Sequence, residues 1–236
     1  MRRRGLTALI DSKDSAWPLV QDWLAAARNP VDVLPAVRKR GEQTLVHLQV
    51  TTRSPLGAVA LEIGGILVDR GWLRLLGSGS ERLTGSLLTW NDGTAIAAPQ
   101  GALIVAHDAV GGFFALNGDA FVGGRGSCFY WAPDALEWED LKLSYSQLIG
   151  WAAAGEVGKF YETMRWPGWE REAAGISGDW GIGLYPPLWA SGEPVAGRSR
   201  RPVPMTELWT LGQETARQLE NVPEGTRVEV VIDKDG

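Results

Sequence analysis

With 236 residues and an ordinary apolar share of 44%, the chain is long enough for one large core or two small ones, and its formal charge is -5. That acidic balance argues against a protein whose affinity comes from neutralising phosphates, which needs a basic face, so no nucleic-acid partner is expected. Two histidines, His47 and His107, and one cysteine, Cys128, are a poor supply for a nitrogen or sulfur metal site and cannot close an internal disulfide, whereas twelve tryptophans provide large rigid faces for packing and contact.

Reading along the chain, Arg2, Arg3 and Arg4 form a short basic start with no long apolar run behind them. Neither a secretory leader nor a membrane span is expected, and the expected compartment is the cytoplasm. Asp14 or Ser15 caps a predicted helix that puts Trp17, Val20, Trp23 and Leu24 on one face, tolerates Pro18 in its first turn and ends near Asn29 and Pro30. A second amphipathic helix is predicted over 36–50, with Val37, Leu45 and Leu48 inward and Arg38, Lys39, Arg40 and Glu42 outward; Gly41 opposes it. Ser54 and Pro55 read as the N-cap and first position of a third helix reaching Glu62, stopped by Gly64 and Gly65.

From Ile66 onward, the short apolar runs 66–68, 72–76, 102–106, 113–116 and 128–131 are bounded by Gly, Asn and Asp and read as strands, with connections at 108–112 and 117–119. After Pro133 the period becomes helical, with Ser144 capping a helix that carries Leu148, Ile149 and Trp151, then a short helix with Val157, Phe160 and Tyr161. The stretch 166–204, rich in Gly, Pro and Trp, reads as a turn-rich cover with a short helix over 170–174, and 191–201 is its candidate mobile loop. Residues 206–219 have helical character and 227–232 alternate like a strand. The class is α+β, with N-terminal helices, a mostly antiparallel or mixed sheet and further helices, organised as one domain over 1–209 and an extension over 210–236.

The search for chemistry assigns no catalytic residue, no cofactor and no metal site. His107 beside Asp108 is the more interesting histidine, although a strand-end structural role accounts for it. Ser78, Ser80 and Ser127 lie outside any G-x-S-x-G elbow, and Cys128, followed by Phe129, Tyr130 and Trp131, reads as a buried thiol. An oxygen-only cation site from Asp69, Asp108, Asp119 and Asp134 lacks calcium-loop spacing, and turn capping explains these aspartates. In Gly77, Ser78, Gly79, Ser80, Glu81 and Arg82, small residues could bare backbone amides to an anion, but the P-loop lysine is missing and a structural turn explains the run as well. The candidate binding residues are therefore Trp72, Arg74, Ser78, Ser80, Glu81 and Arg82, then Asp108, Asn117 and Asp119 on the hairpin. Trp138, between Glu137 and Glu139, marks a rim.

The succession Asp14-Ser-Ala-Trp-Pro, Ser54-Pro-Leu-Gly, Gly64-Gly-Ile-Leu-Val-Asp, Gly71-Trp-Leu-Arg-Leu-Leu-Gly-Ser-Gly-Ser, Asp108-Ala-Val-Gly-Gly-Phe-Phe-Ala-Leu-Asn-Gly, Ala132-Pro-Asp and Leu136-Glu-Trp resembles the bacterial domain-of-unknown-function 2625 family (DUF2625) over 12–209. Two departures stand out: Arg70 where His is expected before Gly71, and the extension from Gln213. The element order is also similar, more distantly, to the SUKH superfamily. That likeness implies helices packed on a sheet in a partner-binding domain, some of whose bacterial members are immunity proteins that block toxins.

Three functions follow as expectations. The first is a non-catalytic protein-binding domain whose acidic surface meets a basic, toxin-like partner. The alternative is a small-molecule or anion-binding protein or enzyme, with Arg74 or Arg82 holding an anion and Asp108 or Asp119 as acid or base. The third is a homo-oligomer joined through Trp138 and the C-terminal strand.

Overall fold

The computed structural model describes residues 3–222, so Arg2 and the strand expected over 227–232 lie outside the described residues. Two helices open the chain, α1 (Leu6–Leu9) and α2 (Trp17–Ala25), followed by strand β1 (Val31–Pro35) and helices α3 (Arg38–Leu48) and α4 (Pro55–Glu62). Helix α2 starts after Ala16 with no side-chain cap and stops at Ala25, short of the expected Asn29. Val37 is the N-cap of α3 and half exposed, so it does not face inward as expected. Gly41 is explained by packing: a Cβ there would collide with the Leu61 backbone, so the missing side chain lets α3 lie close on α4. At α4 the sequence rule holds, with Ser54 Oγ accepting the Gly57 N–H at 3.1 Å and proline in the first turn.

Helix α4 ends at Glu62 as expected and the chain runs straight into β2 (Ile63–Val68), so Gly64 and Gly65 do not cap the helix. They are buried strand residues, small because Ser80 and Leu83 of the crossing segment press on them. The sheet continues through β3 (Leu73–Leu76), β4 (Ala102–Asp108), β5 (Phe113–Asn117), β6 (Cys128–Ala132) and β7 (Glu137–Leu143). All seven strands are antiparallel and lie in sequence order, so the sheet is a meander whose edges are β1 and β7. The α+β class is as expected. Strand β7 was missed because its charges Glu137, Glu139 and Lys142 interrupt any apolar run; they suit an edge strand.

After the sheet come α5 (Tyr145–Ala154), α6 (Val157–Phe160), α7 (Trp169–Ala174), the hairpin β8 (Trp180–Tyr185) with β9 (Ser199–Pro204), and α8 (Met205–Leu219). Ser144 and Gln147 form a full capping box on α5. The short helix expected over 170–174 is present as α7, while the paired strands β8 and β9 take up part of the cover expected to be irregular over 166–204. Its 191–201 portion is tied down by Arg198, which is 8% exposed and donates to the carbonyls of Glu193, Pro186, Pro187 and Ala190. Helix α8 crosses residue 209 unbroken. Among the described residues no helix is long and apolar enough to cross a membrane.

The sheet carries a layer on each side. Helices α2, α4 and α5 pack together with α4 against β2, and Trp151 of α5 and Phe160 of α6 meet Phe114 of β5. On the opposite face Trp209 of α8 meets Phe113, the residue before Phe114, at 4.9 Å. Strand alternation therefore assigns one face to the helical layer and the other to α8 and the β8–β9 hairpin.

Candidate functional site

One lateral row crosses all seven strands on the α8 face. Register places Asp32 opposite Leu67, Leu67 opposite Arg74, Arg74 opposite His107, His107 opposite Phe113, Phe113 opposite Trp131, and Trp131 opposite Trp138. Directly opposed residues in antiparallel pairs share a face, so this row is a continuous strip of side chains. From His107 to Trp138 it is covered: Trp90 lies 5.4 Å from His107 and 5.5 Å from Phe113, and Trp209 reaches Phe113 and Trp138. From Asp32 to Arg74 it floors an open cleft of about 350 Å³.

The cleft's floor is Leu67 and Arg74. Its rim on one side is Val31, Asp32, Arg70 and Arg82, and its far wall is Ala173 and Ala174 at the end of α7 with Ile176 and Gly178 after it. Three arginines thus face one aspartate on a chain that is acidic as a whole. Arg82 pairs with Asp32 at the surface, while Arg70 makes no ion pair among the described residues. The rim is shaped by the β2–β3 turn, in which Asp69 (φ 51°), Arg70 (φ 62°) and Gly71 (φ 79°) are all left-handed. Two non-glycine residues in that region store strain of order 1–2 kcal/mol each. The turn is held by the Asp69 N–H on Pro30 O at 2.8 Å, the Trp72 N–H on Asp69 O at 3.1 Å, and a largely buried Asp69–Arg165 ion pair at 2.6 Å.

What the turn positions is Gly71 O, which accepts Arg74 Nε at 2.7 Å. Arg74 is 1% exposed; its Nη1 meets only the weak acceptor Met205 Sδ at 3.7 Å, and Nη2 meets no acceptor among the described residues. Burial pulls its pKa down to about 10, opposed by the charges of Asp108 and Asp179, neither of which forms an ion pair with it. Arg74 therefore stays a cation at neutral pH, in a site where an uncompensated charge costs several kcal/mol.

Behind Arg74 the polar groups are occupied structurally or silent. Asp108 is fully buried; one carboxylate oxygen accepts the Val110 and Gly112 N–H groups at 2.9 and 2.8 Å, the other the Tyr130 hydroxyl at 2.8 Å. Gly112 is obligatory, since a Cβ would overlap that carboxylate and the Tyr130 hydroxyl. Burial raises the Asp108 pKa against the pull of these donors, and burial raises Tyr130 and Tyr161 well above the tyrosine range. His107 has neither ring nitrogen bonded among the described residues, and burial, with Arg74 beside it, holds it neutral well below the usual histidine range. Burial pushes the Cys128 thiol up to about 12, which removes it as a nucleophile.

Of the sequence candidates, the structure brings Arg74 and Arg82 into one cleft. Trp72 lies beyond the floor in an aromatic cluster with Tyr161, Trp166 and Trp169, where Arg165 stacks 3.8 Å from the Trp169 ring. Ser78 and Ser80 are buried; Ser78 Oγ donates to Ile63 O and the Ser80 backbone pairs with Leu83, so the 77–82 run is a turn packed on β2 and its amides are not offered to a ligand. Glu81 is exposed outside the cleft lining. Asn117 and Asp119 lie at the opposite end of the β4–β5 hairpin from Asp108, Asn117 organising its loop through Phe121 and Asp119 pairing with Arg125. Trp138 is half-buried among Trp131, Phe121 and Trp209 on the far edge strand. Sequence reading missed Asp32, Leu67 and the Ala173–Ile176 wall, for which only the Val31-Asp32-Val33 alternation gave a signal. Among the described residues no group of three or more His, Cys, Asp or Glu converges to hold a metal ion.

The family model described as Protein of unknown function DUF2625 matches residues 6–208. The chain is 39% identical over 208 residues to YbfG, an uncharacterized protein of Escherichia coli, covering 88% of this chain and 95% of the relative. It is 35% identical over 177 residues to an uncharacterized protein of Haemophilus influenzae, covering 74% and 78%. No solved structure matches it.

Proposed function

This chain belongs to the DUF2625 family of proteins of unknown function, and from its own geometry we propose that it is a non-catalytic binding domain whose cleft over β1–β3 accepts an anionic group. What supports the reading is that Arg70, Arg74 and Arg82 line one cleft with Asp32 as the one acid of its lining. The groups that could do acid–base or nucleophilic work are consumed elsewhere: Asp108 holds a turn, His107 is walled off by Trp90 and Phe113, and Cys128 is buried. Native mass spectrometry of the full chain purified from its host tests this, run beside metabolite profiling of cell extract incubated with the protein. A retained anionic small molecule with no metabolite consumed is expected. Consumption of a metabolite that stops in a folded Asp108→Asn variant would overturn the reading.

A second reading is a domain that binds a protein, of the immunity type implied by the likeness in element order to the SUKH superfamily. It is favoured by the charge of -5 and by the acidic group Asp134, Glu137 and Glu139 at edge strand β7, where burial and the two neighbouring carboxylates raise the Glu139 pKa. Charge of this sign speeds encounter with a basic partner. Capture of a basic protein by the wild-type chain, lost in a Glu137→Lys/Glu139→Lys variant, is expected on that reading; a pull-down from native cells with no such protein contradicts it.

A further inference from the structure

We propose that an apolar groove beside α8 receives a cationic, amphipathic segment of a partner protein, with one apolar anchor side chain in the groove and flanking Lys or Arg on its acidic lips. This rests on the second reading, a domain that meets a basic protein, and adds the surface and the kind of segment that fits it.

The groove lies at the end of the sheet that carries the 109–112 and 133–136 turns. Its lining joins Val110 of the first turn, Trp131 of β6, Leu136 before β7, Leu188 after β8, and Leu208 and Leu211 of α8. No charged residue lines it, and Thr215 supplies its one side-chain hydroxyl. Leu211 is 56% exposed, and Leu136 and Leu188 beside it are only half-buried, so the apolar surface is contiguous, as at contact sites. Size decides what enters. The cavity measures about 90 Å³, well under the roughly 300–1,000 Å³ of small-molecule sites, so it takes a single side chain of a larger body. Anchors of this kind carry most of the affinity of protein interfaces.

The charge on the lips selects the partner. Glu207 and Glu214 lie one helical turn to either side of Leu211 on α8, and Asp134 and Glu137 adjoin the lining residues Pro133 and Leu136. All four acids are exposed, and none forms an ion pair among the described residues. An apolar slot between acidic lips fits a segment with an apolar face bordered by Lys or Arg, docked as amphipathic helices dock in grooves. A second copy meeting the groove through its own groove would set these carboxylates against one another. The chain's own residues 223–236 bring the wrong sign, with Glu224, Glu229, Asp233 and Asp235 against Arg227 and Lys234.

Fluorescence anisotropy of the full chain with three labelled helical peptides of about 15 residues provides the test. The first has leucines at i, i+3, i+4 and i+7 with lysines between them; the second replaces its lysines by glutamates, the third its leucines by serines. Saturable binding of the first is expected, with the other two weaker by about tenfold or more. Leu211→Arg, at an exposed position, is expected to weaken the first peptide by about tenfold or more, and Glu207→Gln/Glu214→Gln to lower its affinity and flatten the salt dependence. Absence of binding of the first peptide to the wild type overturns the proposal. Equal affinity for the first and third peptides, or for wild type and Leu211→Arg, overturns the groove while the basic-partner reading stands. Binding that appears only after Val230→Asp/Ile232→Asp makes the chain's own C-terminal residues the occupant, and dimers in light scattering that Leu211→Arg disperses make it a second copy; either overturns the proposal. No peptide bound and no basic protein captured from native cells removes both the proposal and the reading beneath it.

Discussion

The two halves of the row that crosses the sheet share one backbone register and differ in everything else. Between β4 and β6, His107, Phe113 and Trp131 are buried beneath Trp90 and Trp209, with Trp138 half-buried at the β7 edge. Between β1 and β3, Asp32, Leu67 and Arg74 floor an open cleft. Aromatic packing turns the first half into core, where every atom contributes by being buried. The second half buries a guanidinium with an unfilled bonding position, an arrangement that costs stability. The contrast predicts opposite responses to substitution.

The largest effect belongs to the sealed half. Phe113→Ala removes a fully buried ring that contacts Trp90 and Trp209, and is expected to destabilise the fold by about 3–5 kcal/mol in chemical denaturation. A loss below about 1 kcal/mol would mean that this half is not the packed anchor claimed for it.

His107 sits at the junction and gives the comparison a pH axis. Its folded pKa is depressed, so the stability it contributes is present above the usual histidine value of 6.5 and is lost as pH falls from there towards the folded value. The slope approaches about 1.4 kcal/mol per pH unit in that window, because the unfolded chain takes up a proton that the buried ring refuses. Asp108 works in the other sense: its folded pKa is raised, so its contribution is present below the carboxylate value of 3.8 and is lost as pH rises through the folded pKa. Comparing His107→Phe with the wild type isolates the histidine, and the variant is expected to show a flatter decline below pH 6.5 in urea midpoints. An unchanged slope would show that His107 titrates freely.

At the open edge the effect is smallest. Arg82→Ala removes a surface pair with Asp32 whose partners are 61% and 54% exposed, and is expected to change stability by less than about 0.5 kcal/mol. A larger loss would make Arg82 a structural brace of the cleft.

How far the sequence revealed this arrangement follows from where its signals were local. The Ser54–Pro55 helix start, the Ser144 capping box and the 113–116 run each depend on neighbours a few residues apart, and each was readable. Strand β1 was hidden because the four residues between Pro30 and Pro35 carry too little pattern, and β7 because its acids resemble a solvated face. Arg82 was singled out by the Gly-Ser run it closes and Arg74 by its nearness to that run, but the cleft they share depends on Asp32 and on Ala173–Ile176, and the far wall is about a hundred residues away in sequence. The 77–82 run is the structural turn that the sequence reading favoured, and the anion cradle stood beside it because small residues that permit close packing on β2 look, in sequence, like small residues that bare amides. Burial separates the two, and burial is not local.

The most direct test of the contrast is the unfolding free energy of ligand-free Arg74→Met against the wild type. Methionine keeps the aliphatic stem and removes the buried charge, so the account predicts a variant more stable by about 1–3 kcal/mol. A variant destabilised by more than about 1 kcal/mol would show that Arg74 holds the fold together and is not kept for a ligand.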